Sequence, residues 1–143
     1  MNSSPVVPIT LVLLDPTSPD GESALQLLDA ADRHVVLMVL LSGPTSRALR
    51  DAARAADVDM ATAGWCYLEQ VGERLALAPE QLLAMTARGP SAATELADVV
   101  VSHETARVLL PSSVDRNEPG LADLLSRCTD APVITAPALA HAG

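Results

Sequence analysis

Apolar residues along this chain gather into short unbroken runs separated by amphipathic stretches. Residues 8–14 form one such run and stop at Asp15; residues 35–41 form a second, broken by Ser42-Gly43-Pro44. Runs of this length without alternation predict strands covered on both faces, as in a parallel sheet. Between them, Pro16-Thr17-Ser18-Pro19 predicts a turn. Ser18 is placed to cap a helix with Pro19 at its first position and Asp20 and Glu22 near its positive end. Ala24, Leu27, Leu28 and Ala31 then fall on one face. Residues 45–56 predict a second helix, with Ala48, Leu49, Ala52, Ala53 and Ala56 inward and Arg47, Arg50, Asp51 and Arg54 outward.

The middle of the chain admits two readings. Residues 58–62 can form a short strand followed by a helix over 65–77, which is the preferred reading. Alternatively Val58, Ala61, Trp65, Leu68, Val71 and Leu75 form one helical stripe, interrupted by Gly64 and Gly72. Pro79 opens a predicted helix over 80–87, and Ser91 caps a short turn. Residues 97–102 predict the fourth strand, 105–117 an irregular segment over the sheet's carboxyl edge, 121–128 a helix and 132–136 a closing strand. Asp123 and Arg127 form an outward i, i+4 pair on that helix. Strands alternating with helices give an α/β fold with right-handed crossovers. The expected organisation is a single domain over 1–143, with residues 1–7 and 138–143 as flexible ends.

Composition narrows the function classes. The chain has 143 residues, 49% of them hydrophobic, one Trp, one Tyr and no Phe. Few rings leave no stacking platform for single strands. A net charge of −9 repels phosphate backbones and anionic lipid, so neither nucleic acid nor membrane is an expected partner. All nine basic residues are Arg. The absence of Lys removes the P-loop lysine, a Schiff-base lysine and the lysine of a receiver phosphorylation site. Cys66 and Cys128 are too few for a disulfide framework, and two reduced buried thiols in the cytoplasm are expected. No basic segment precedes an early apolar run, and the run over 35–41 is far shorter than the roughly 20 residues that span a bilayer.

The apolar run over 9–15 ending in Asp15, the second at Val35, residues 97–102, and Leu124-Leu125 followed by Thr129-Asp130-Ala131-Pro132-Val133-Ile134 together resemble the universal stress protein superfamily. The resemblance implies a doubly wound, mostly parallel five-stranded sheet with helices on both faces and ligands at the carboxyl edge. In nucleotide-binding members an acidic residue ending the first strand lies near the nucleoside, and Asp15 matches it. There, glycines after the fourth strand hold the phosphates. Here no glycine occurs between Ser102 and Pro119, and Glu104 adds repulsion that Arg107 could only partly offset. A divergent member that does not bind ATP is therefore expected. The resemblance also implies a homodimer through the last strand, an edge that a twofold partner would cover.

Candidate chemistry is sparse. Ser102, His103 and Glu104 suggest a hydrolase, but extended neighbours point to opposite faces and no G-x-S-x-G occurs. His34, His103 and His141 lack ligand spacing, so no metal is expected. Arg47, Arg50 and Arg54 lie among Asp51, Asp57 and Asp59 and read as a solvated face. Trp65 continues the apolar stripe and is expected in the core. Asp15 is the leading site residue; otherwise it caps the turn at Thr17 and Ser18. A small-molecule site over Asp15, Ser102, His103, Arg107 and Ser113 is the expectation, with no cofactor and no catalytic residue. The functional expectation is a non-catalytic stress-response or signalling protein acting through protein contacts. The alternatives are a small hydrolase using strand-edge Ser or His, and a receiver-like pseudo-domain docked in a larger assembly.

Overall fold

The two leading apolar runs form the centre of a parallel sheet. The computed structural model describes residues 9–18, 20–29, 34–41, 46–76, 82–87, 96, 98–100, 105–117, 120–128 and 130–136. Strand β1 (Ile9–Leu14) pairs with β2 (His34–Leu40) on one side and β4 (Thr105–Leu110) on the other. Strand β3 (Leu82–Ala87) extends the sheet beyond β2, and β5 (Val133–Thr135) extends it beyond β4. The order is β3-β2-β1-β4-β5, all parallel. The expected parallel α/β architecture is met. Receiver domains order their strands 2-1-3-4-5, so the topology gives the receiver-like alternative no support.

Alternation along the central strands divides the core into two. Val12 and Leu14 of β1, with Val35, Leu37 and Val39 of β2, pack under helices α1 (Arg47–Ala56) and α2 (Met60–Arg74) through Leu49, Ala53, Ala63, Leu68 and Val71. Leu11 and Leu13, with Val36, Met38 and Leu40, face the opposite way. They meet Leu96, Val100, Val114 of helix α3 (Ser112–Asn117) and Leu121 and Leu125 of helix α4 (Leu121–Cys128). Each buried Leu or Val contributes roughly 1.5–3 kcal/mol. That explains why β1 and β2 tolerate hardly a polar residue on either face. Among the described residues, no helix is long and apolar enough to cross a membrane.

Several elements depart from the sequence-based expectations. The segment after the 15–18 turn forms only a 3₁₀ helix, Ser23–Leu27, in place of a longer helix; Ser18 Oγ accepts from Asp20 N at 3.2 Å. Residues 58–62 do not form a strand. Asp59 caps α2, its carboxylate accepting from Thr62 N at 2.7 Å; the segment is helical as in the alternative reading, but of that reading's stripe only Leu68 and Val71 are buried. The buried face is Ala63, Gly64, Leu68, Val71 and Gly72, so Trp65 falls off it and is 41% exposed, contrary to its expected place in the core. Residues 82–87 are strand β3, where a helix was expected, because β2 offers a free ladder edge and pairing overrides helix propensity. The expected strand over 97–102 is helical at residues 98–100, and the fourth strand lies at Thr105–Leu110, where an irregular segment was expected. Residues 1–8 and 137–143, with the ends expected to be flexible, lie outside the described residues.

Gly64 sets how closely α2 approaches the sheet. A Cβ there would meet Leu41 Cδ2 at 3.0 Å and Thr86 Cγ2 at 3.1 Å. Gly64→Leu is therefore expected to overpack this contact and destabilise the fold by about 1–3 kcal/mol in urea unfolding. An unchanged unfolding midpoint would refute that tight approach.

Candidate functional site

In an open parallel sheet, ligands meet the carboxyl ends of the strands where the order reverses. Here the chain runs from β1 outward to β2 and β3, then crosses to β4 on the other side of β1. The reversal therefore lies between the ends of β1 and β4. Asp15 follows β1 directly and is 1% exposed. Pro111-Ser112-Ser113 follows β4, and Ser113 is fully buried.

The Asp15 turn is tightly closed. Asp15 N donates to Gly21 O at 3.0 Å, Ser18 N to Asp15 O at 3.4 Å and Gly21 N to Ser18 O at 3.0 Å. A Cβ on Gly21 would lie 1.5 Å from Asp15 O, so only glycine fits. Asp15 Oδ1 accepts from Thr17 N at 2.9 Å, the turn-capping contact that was the alternative to a ligand site. Among the described residues, its other oxygen, Oδ2, has no hydrogen-bond partner. Thr17 Oγ1 in turn accepts from Ala48 N at 3.0 Å and ties the turn to the start of α1.

The other expected site residues do not all join Asp15. Ser113 stands at the same carboxyl edge, at the start of α3. Arg107 pairs in register with Thr10, near the opposite end of β1. It donates to Leu27 O at 3.1 Å and approaches Asp29 at 3.9 Å. Arg107 thus fastens the 3₁₀ segment to β4 and lies away from the rim, because the strand begins later than the sequence suggested. Ser102 and His103 lie outside the described residues, as do Glu104 and His141. His34 opens β2. Among the described residues, no group of three or more His, Cys, Asp and Glu is gathered as for a metal ion.

A second concavity was not foreseen. A cleft of ≈340 Å³ lies between α1 and α2, lined mainly by apolar side chains that include Pro16, Ala52, Ala56, Val58, Cys66 and Tyr67. Ala52 and Ala56, expected inward, are exposed to it, and Cys66, expected buried, is exposed too. The side chain of Cys128 lies outside the described residues. The sequence signal was the alanine-rich face of α1: small side chains leave space between helices that larger ones would fill.

Of the residues lining that cleft, Tyr67 donates through Oη to Glu22 Oε2 at 3.2 Å, while Arg74 Nη2 donates to Glu22 Oε1 at 2.7 Å. Burial, and then the Glu22 carboxylate, push the Tyr67 hydroxyl above its ordinary range; Arg74 pulls weakly the other way.

The family scan returned no matching model, and the search of curated proteins returned no match. Solved structures share the fold, two hypothetical proteins among them. Hypothetical protein MJ0577, whose structure served a structure-based assignment of biochemical function, superposes with a TM-score of 0.66 at 11% identity, over 95% of this chain and 99% of its own. Hypothetical protein PH0823 superposes with a TM-score of 0.52 at 15% identity, over 93% of this chain and 98% of its own. At these identities the likeness is one of fold, and it extends over nearly the whole of each chain.

Tyr67 is the chain's one tyrosine, so its titration can be followed directly. Tyrosinate absorbance should remain absent at about pH 10, where a free tyrosine is half ionised, and Glu22→Gln should lower the midpoint. The sign follows from proton linkage: above about pH 10 the unfolded chain loses the proton that the folded chain keeps, so stability falls as pH rises. An ordinary tyrosine midpoint in the folded protein would contradict this environment.

Proposed function

We propose that this chain is a doubly wound, universal-stress-type protein that does not hold ATP and works without catalysis, through contacts with other protein chains in the cytoplasm. One observation carries the reading: the chain leaves β4 through Pro111 and turns at once into α3, with no glycine before Gly120. A phosphate cradle needs bare backbone N–H groups that a ligand can approach closely. Here that ground is occupied by a proline, two serines and a helix whose Val114 is in the core. Asp15 supports the same reading, since one of its oxygens is committed to its own turn.

The partner proposed first is a second copy of the chain. Strand β5 is a sheet edge in the described fold, and its Ile134 is 36% exposed. An apolar edge strand with an unpaired ladder favours pairing with another such edge. A twofold axis beside β5 would cover both.

Calorimetric titration tests the nucleotide part. ATP and AMP should give no binding in the micromolar range; micromolar heat with either would overturn it. Ile134→Lys tests the dimer part. The variant should sediment as a monomer at concentrations where the parent is dimeric; a parent that is monomeric throughout would refute the β5 interface.

A further inference from the structure

Six buried side-chain oxygens lack a hydrogen-bond partner among the described residues, and five of them follow the carboxyl ends of β1 and β4. Asp15 Oδ2, Asp20 Oδ1 and Ser23 Oγ belong to the turn over 15–23; Ser112 Oγ and Ser113 Oγ open α3. The sixth, Thr105 Oγ1, lies at the other end of β4. Asp15, Asp20, Ser23 and Ser113 are 1%, 6%, 4% and 0% exposed. Strands β1 and β4 are direct neighbours, paired as far as Val12 and Leu109; Asp15 is the first residue after β1 and Ser112 the second after β4, so both leave the same edge of the sheet.

Such a concentration of unpaired oxygen is costly. A buried carboxylate is tolerated when paired, hydrogen-bonded or coordinated to a cation. Among the described residues, neither Asp15 nor Asp20 forms an ion pair. The Arg side chains with described partners are directed elsewhere: Arg74 to Glu22, Arg107 to Leu27 and Asp29, Arg127 to Asp123 and Arg50 to Ser46. The loose ends are all hard oxygens, and two of them carry carboxylate charge.

We propose that the rim between β1 and β4 is a site for a hard divalent cation of the magnesium or calcium class, held by Asp15 and Asp20 with Ser23, Ser112 and Ser113 beside them. Two carboxylates offset the charge of one such ion. Hydroxyl oxygens and retained water complete its shell, as is usual for magnesium bound through one or two carboxylates. Thiolate and imidazole are absent from the set, which disfavours zinc and copper. The site is argued from unpaired oxygens alone and does not depend on the nucleotide reading.

The test uses the full chain without nucleotide. Thermal unfolding is followed in magnesium or calcium chloride against sodium chloride of equal ionic strength, and metal binding is measured by calorimetry. The divalent ion should raise the melting temperature by several degrees beyond the sodium control, since an ion that binds only the folded state stabilises it. Asp15→Asn keeps an oxygen for Thr17 N but removes the charge; it and Asp20→Asn should each weaken metal binding by about tenfold or more. Asp51→Asn, on the exposed face of α1, should leave it unchanged. Equal shifts in sodium and divalent salt, or undiminished binding in both Asp15→Asn and Asp20→Asn, would overturn the proposal. Should Asp15→Asn fail to fold, Asp20→Asn alone decides it. Because nucleotide is absent from every arm, a negative result here leaves the ATP titration standing separately.

Discussion

Everything in this fold depends on β1 being enclosed on all four sides. Its two edges are bonded to β2 and β4, and its two faces are covered by separate apolar clusters. A strand so placed has no solvent side, so its sequence must stay almost wholly apolar until it emerges. The point of emergence is Asp15, and the transition from Leu14 to Asp15 is abrupt. The next residues must reverse the chain within a few positions, which the Asp15–Gly21 bond achieves at the cost of excluding every side chain larger than glycine at 21. The position of the site thus follows from the position of the strand.

The same enclosure explains what could be read in the sequence. Strands β1 and β2 were legible because double-sided burial leaves a run that few alternatives fit. Helix α4 was legible from Leu121 and Leu125 at helical spacing, and Asp123 and Arg127 do pair on its outer face. The errors fall where a short apolar run could serve either structure. Leu82–Ala87 consists mostly of good helix formers, and only the open edge of β2 makes it a strand. Residues 98–100 are β-branched or acidic yet helical, while β4 was hidden by Arg107, a charged residue inside a buried strand. That side chain is accommodated because its guanidinium reaches out to the Leu27 carbonyl.

Displacement of the fourth strand moved the candidate site without dissolving it. Asp15 does follow the end of β1, as its sequence position implied, and Ser113 stands at the same edge. Arg107 leaves it, because moving the strand later carries position 107 down toward the opposite end. Asp20 and Ser23, which only the structure adds to the proposed site, could not be singled out from the sequence. Their signal was present only as small polar residues beside a turn, which is also the usual composition of solvated loops; burial distinguishes the two, and burial is set by tertiary packing.

What emerges is a rim built around oxygen acceptors in a sheet whose fold MJ0577 and PH0823 share. Proline, serine and helix occupy the exit from β4, and carboxylates occupy the exit from β1, the arrangement from which both the non-nucleotide reading and the cation site are proposed. Amide chemical-shift mapping of the labelled chain tests that claim most directly. Addition of magnesium should shift the amides of residues 15–23 and 112–113, while metal-free ATP should leave them in place. Concerted shifts over 111–115 on adding metal-free ATP, with none on adding magnesium, would contradict the account.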